Sequence, residues 1–156
     1  MAYVAGTAMK PMLATAAALP ADANWAYEFK WDGVRAISVI SAEPTGQSGA
    51  TGRRRARFYA RSGAEITAAY PELASLPAQL PDAVLDGEVV VFDREGRPSF
   101  TSIAERMHVR DPVRAGELAA RLPVTYMIFD IMELDRVRLI SQPYAERRAV
   151  LETLAS

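Results

Sequence analysis

The chain has 156 residues, 50% hydrophobic and 24% charged. That balance fits one globular domain able to bury a core, and fits neither a disordered tail nor a membrane protein, since no apolar run reaches the roughly eighteen residues of a membrane helix. With 18 basic and 19 acidic residues the formal charge is -1, so no overall field attracts nucleic acid and any such partner must be argued locally.

Lys10 and Lys30 are the only lysines, every other basic residue being arginine. A lysine is thus an uncommon choice in this chain. Without cysteine there is no disulfide, thiol nucleophile or thiolate zinc site, which fits a reducing compartment and leaves carboxylates as the metal ligands. Lys10 followed by Pro11 to Ala23 imitates a signal peptide, but Pro11 and Thr15 interrupt an already short apolar stretch. Residues 1–24 are therefore expected to be an extended lead-in packing Met12, Leu13 and Leu19 on the domain, in a cytoplasmic chain.

Trp25 to Phe29 and Val34 to Ile40 are β-rich runs, and Asp32-Gly33 between them predicts a hairpin. Glu43 to Gly52 reads as a loop and Arg57 to Arg61 as a strand turned by Ser62-Gly63. Tyr70, Leu73, Leu76 and Leu80 recur at helical spacing, which predicts a helix from Thr67 to Leu80 with Pro71 in its first turn. Val84-Leu85 and Glu88 to Phe92 read as a strand pair around Asp86-Gly87, closed by the turn Asp93 to Pro98. Helices are expected over Ser99 to Met107 and over Pro112 to Leu122, the second capped by Asp111. Val124 to Met132 is an apolar run broken by Asp130, as in a strand buried on both faces, and Pro143 to Leu154 forms a last helix.

Hairpins with intervening helices point to an α+β fold of antiparallel sheets with flanking helices. A doubly wound nucleotide fold would need a Gly-rich phosphate loop, and neither GxGxxG nor GxxxxGK[ST] occurs. His108, the lone histidine, reads as a helix-end residue. The run Gly52 to Arg57 either contacts DNA phosphates or is a solvated hairpin tip.

Glu28-Phe29-Lys30-Trp31-Asp32-Gly33-Val34-Arg35 is the segment that can carry chemistry. Only an uncharged amine attacks an electrophile, and enclosure beside cations favours that form. Trp25, Tyr27, Phe29 and Trp31 are expected to enclose the Lys30 stem, and Arg35 supplies a cationic neighbour.

This octapeptide resembles motif I of the covalent nucleotidyltransferases, the superfamily of DNA ligases, RNA ligases and mRNA capping enzymes. Arg61-Ser62-Gly63 with Tyr70-Pro71-Glu72-Leu73 resembles motif Ia, Leu85 to Val90 motif III, and Met127 to Met132 motif IIIa. Pro143 to Arg148 is similar to the helix after IIIa in ATP-dependent DNA ligases, above all bacterial end-joining enzymes of the ligase D type. The order along the chain is the family's order.

The resemblance implies a nucleotidyltransferase fold in which Lys30 takes AMP from ATP. Glu28 would then recognise the adenine edge, Phe129 would stack on the base, and Arg35 and Arg61 would hold ribose or phosphate oxygens. Glu88 would bind a ribose hydroxyl or a metal ion, and Asp32 would join it on Mg2+ or Mn2+ or simply cap its own turn. The implied substrate is nicked or broken double-stranded DNA near the nucleoid, with DNA-end-binding repair proteins as partners. Residues 25–156 would be the N-terminal part of an adenylation domain, because motifs IV and V and an OB-fold domain do not follow. No lysine lies beyond Lys30 to hold phosphates, so weak self-adenylation and no nick sealing are expected of the chain alone. Arg136 stands where the family commonly has glycine. The rival readings are an RNA ligase or capping enzyme and a non-catalytic remnant that binds DNA ends.

Overall fold

Strand β1 (Val34–Ala42) is an interior strand of the sheet, hydrogen-bonded along both of its edges. One pairs with β2 (Arg54–Ala60) and the other with β3 (Ala83–Val91), both antiparallel. β4 (Val124–Leu134) adds to β3, and the short β5 (Val137–Arg138) to β4, giving the sheet order β2-β1-β3-β4-β5. The computed structural model describes residues 10–42, 52–78 and 80–154. The predicted loop Glu43 to Gly52 lies almost wholly outside them.

Alternation along the strands divides the sheet into two faces. Ala36, Ile40, Phe58, Leu85, Val89 and Ile131 point into the main core, which Ile103 and Leu151 close from the helices α1 (Phe100–Arg106) and α3 (Tyr144–Leu154). The opposite face carries the smaller cluster Ile37, Val39 and Val84. Arg35, Asp86 and Glu88 share its parity.

The expected α+β class and the antiparallel sheet with flanking helices are found. Local signals hold well. Ser99 caps α1 by accepting from the Ser102 N–H, and Asp111 caps α2 (Pro112–Arg121) through Arg114 N–H. His108 follows α1 with φ +65°, the left-handed residue that ends a helix, and it is exposed.

Five expectations about the fold fail. Residues 25–29 form no strand, because β1 already has a partner on each edge and the Asp32-Gly33 step simply leads into it. Asp86-Gly87 is not a turn but the middle of β3. Thr67 to Leu80 is two 3-10 segments, Thr67–Ala69 and Pro71–Ala78, since Pro71 and Pro77 lack the N–H that a continuous α-helix needs. Met12, Leu13 and Leu19 do not pack on the domain; each is exposed, and only Pro11 of residues 10–19 is buried. β4 is covered on its core face but half-buried elsewhere, so it is not enclosed on both sides.

The β4-β5 hairpin turns on Asp135 and Arg136, both at positive φ, +46° and +68°. Such a two-residue turn favours glycine, and the exposed Arg136 holds a left-handed backbone conformation that its Cβ disfavours. Arg136→Gly is expected to raise the unfolding free energy by about 0.5–1 kcal/mol, read by chemical denaturation, with no change in slope.

Candidate active site

On the face opposite the core, the sheet register sets four motif segments in one row. Arg35 of β1 lies opposite Glu88 of β3, and Glu88 opposite Met127 of β4. The pairing of Ala36 with Ala60 puts Arg61 one step past β2, at the level of Arg35, where it is exposed.

Arg35 makes a two-pronged ion pair with Asp86, Nε to Oδ1 at 2.6 Å and Nη2 to Oδ2 at 2.8 Å. This pairing raises the guanidinium above its ordinary value, burial opposing it. The same guanidinium covers one face of the Phe129 ring, 4.5 Å from its centroid. A bulge in β4 makes this possible. Asp86 faces Asp130 while Gly87 faces Ile128, so Phe129 is the extra residue and its ring is turned toward Arg35.

Glu88 is half-buried, and desolvation pushes its carboxyl up; the charges of Arg35 and Lys30 and the Gly33 N–H oppose that rise, while Asp86 adds to it. Gly33 is pressed against β3 here, since a Cβ on it would lie 2.3 Å from the Val89 carbonyl oxygen and 3.0 Å from Glu88 Cγ. Only glycine brings the Lys30 segment this close. The expected enclosure of the lysine is not found: Lys30 is exposed, as are Trp25, Tyr27 and Phe29, while Trp31 packs edge-on against Phe92.

Beyond the row, Asp130 binds Arg147 of α3 through both oxygens, at 2.9 and 2.8 Å, and Arg147 also donates to the Gln142 carbonyl at 2.6 Å. Tyr144, at the start of the same helix, donates its hydroxyl to Glu28. Burial first, then Glu28, pushes the phenol up to about 12.

The profile of the ATP dependent DNA ligase domain matches residues 11–156. The chain belongs to the ATP-dependent DNA ligase family. The multifunctional non-homologous end joining DNA repair protein LigD of Mycobacterium tuberculosis is 39% identical over 153 residues, 95% of this ligase chain and 17% of that protein. DNA ligase C of the same organism is 34% identical over 146 residues, 92% of the chain and 37% of that enzyme. A structure of mycobacterial DNA ligase D complexed with ATP and MES superposes with a TM-score of 0.61 at 36% identity, covering 82% of this chain and 36% of that one. The ligase chain thus spans well under half the length of these relatives.

Of the residues marked by sequence, Arg35, Glu88 and Phe129 converge on the row, and the exposed Lys30 lies three residues before Gly33, where its segment packs on β3. Glu28 is tied instead to α3, and Asp32 is exposed beside Gly33. Among the described residues of the ligase chain no group of three or more His, Asp or Glu could hold a metal ion. The basic run forms the edge strand β2, with Arg54 ion-paired to Asp82 at 2.8 Å and Arg55 and Arg57 exposed. Sequence reasoning missed three partners: Asp86 for Arg35, Arg147 for Asp130 and Tyr144 for Glu28. Asp130 did carry a signal, because a carboxylate inside an apolar strand needs a cation. The Arg35–Asp86 pair, 51 residues apart, carried none.

Proposed function

We propose that this chain supplies the nucleophilic lysine and purine-binding face of a DNA ligase that seals nicked or broken double-stranded DNA in repair, beside the nucleoid and with DNA-end-binding proteins as partners. The observation that carries this reading is the Arg35–Glu88 row with the Lys30 segment packed against it at Gly33. In the first step Lys30 Nζ attacks the α-phosphorus of ATP, the P–N bond forms as the bond to the β-phosphate oxygen breaks, pyrophosphate leaves, and the amine loses its proton. The AMP then passes to a 5′-phosphate, freeing Lys30, and a 3′-hydroxyl displaces it.

Negative charge on phosphate dominates each step, so preset cations are the main stabilisers. Arg35, already oriented by Asp86, and Arg61 at its level fit that task, and Phe129 offers an aromatic face to the base. Magnesium needs only one or two carboxylates when phosphate oxygens and water complete its shell. Glu88 fits as one of them, since Asp86 is committed to Arg35 and a cation would relieve the desolvation of Glu88; Asp32 would join it, and the ion would neutralise phosphate charge.

Incubation with ATP labelled at the α-phosphate tests the reading. An acid-labile adduct is expected on wild-type protein, weak in the chain alone, absent with γ-labelled ATP and abolished in Lys30→Ala. Equal labelling of the alanine variant would remove Lys30 from the mechanism.

A further inference from the structure

We infer that Tyr144 is a positioning residue for Glu28 and thereby sets the preference for a 6-aminopurine nucleotide; this rests on the proposed function and on Glu28 meeting the adenine edge, as the family resemblance implies. Glu28 sits in the exposed, unpaired segment before β1, where a free carboxylate side chain would sample many rotamers. Its tie to the body of the domain is the hydrogen bond donated by Tyr144, 116 residues away.

Tyr144 is itself held. It begins α3, the Arg147 guanidinium lies 6.0 Å from its ring centroid, and Arg147 is locked on Asp130 by two hydrogen bonds. Asp130 neighbours Asp86 across the sheet, and Asp86 holds Arg35 over Phe129. From Glu28 to Phe129 each link is thus a hydrogen bond, an ion pair, a ring contact or a sheet pairing.

The chemistry follows from donor and acceptor count. A carboxylate only accepts, and its Oε1 takes the tyrosine hydrogen. The second oxygen stays available for the exocyclic amine of a 6-aminopurine. A purine with a carbonyl at that position would set oxygen against oxygen, and one with hydrogen there would offer nothing. Without the phenol, Glu28 must be ordered by the nucleotide itself.

The experiment measures Lys30 labelling in the protein with ATP, purine riboside triphosphate and GTP, for wild type, Tyr144→Phe, Glu28→Ala and the double variant. Tyr144→Phe is expected to raise KM for ATP about tenfold with the maximal rate within about twofold, and to erase most of the preference over purine riboside triphosphate. In the Glu28→Ala background the same change is expected to do nothing. A loss that is equal for all three nucleotides, or that persists without Glu28, would overturn the inference. No labelling of wild type by any nucleotide would instead overturn the reading of the site. A phenol titration of the chain keeps the contact itself testable: Glu28→Gln is expected to bring Tyr144 down from about 12, and an unchanged value would refute the contact.

Discussion

Replacing Arg106 with alanine is expected to lower the unfolding free energy by about 4 kcal/mol, a large part of the stability of an ordinary domain. The guanidinium is wholly buried. It binds Glu72 through Nη1 at 2.7 Å and Nη2 at 3.0 Å, and also donates to the carbonyls of Leu122 at 2.6 Å and Ala69 at 2.7 Å. One side chain thus ties α1 to the 3-10 segments and to the end of α2. Its removal leaves two carbonyls and a carboxylate short of a donor, each worth about 1–3 kcal/mol when buried, partly offset by solvent reaching Glu72. A lysine keeps the charge but not the fork, so Arg106→Lys should recover less than half of the loss.

The acid limb provides an independent check. Burial alone would raise the Glu72 carboxyl, but hydrogen bonds from Arg106 and the Val124 N–H hold it below its ordinary value. Its stabilisation is therefore complete above the unfolded-state value and is lost as pH falls through the lower folded one. Glu72→Gln should flatten that part of the stability profile, and an unaltered acid limb would show that Glu72 contributes nothing to it.

Gly87→Ala is expected to cost about 3 kcal/mol, although the added group is a single methyl in a strand. That methyl would lie 2.6 Å from both the Met127 carbonyl oxygen and Tyr126 Cε2. The tyrosine ring covers the bare backbone of Gly87 and sends its hydroxyl to the carbonyls of Ala36 at 2.9 Å and Leu85 at 3.2 Å. Phe58 packs edge-on against it at 5.3 Å. Neither the ring nor the strand can retreat without breaking these contacts. Gly116→Ala is the control: nothing lies within 4 Å of its added methyl, and it should gain up to about 1 kcal/mol. Equal denaturation midpoints for the two variants would show that close approach is not what Gly87 serves.

These two positions also show where the sequence was legible. The cap at Asp111 and the turn at Gly63 are decided within a few residues, and those features were anticipated. Asp86-Gly87 carries the same local signature as a turn, yet Gly87 answers a tyrosine from a later strand, and no window around it contains that ring. The segment 25–29 has every property of a strand except a neighbour. Glu72 and Arg106 belonged to different predicted helices with no shared periodicity. Order and spacing of the motifs conveyed the family, while the ion pairs that orient Arg35 and Asp130 and the hydrogen bond that holds Glu28 became visible only in the folded chain.

Because β1 has no open edge, the stretch that bears Lys30 touches the sheet at Gly33 without joining its hydrogen-bond lattice. On the proposed role of Lys30, damage to catalysis and damage to folding are consequently separable: substitutions at the exposed positions of that stretch are expected to abolish lysine labelling while melting behaviour stays intact, and a loss-of-function screen scored by protein abundance would overlook them.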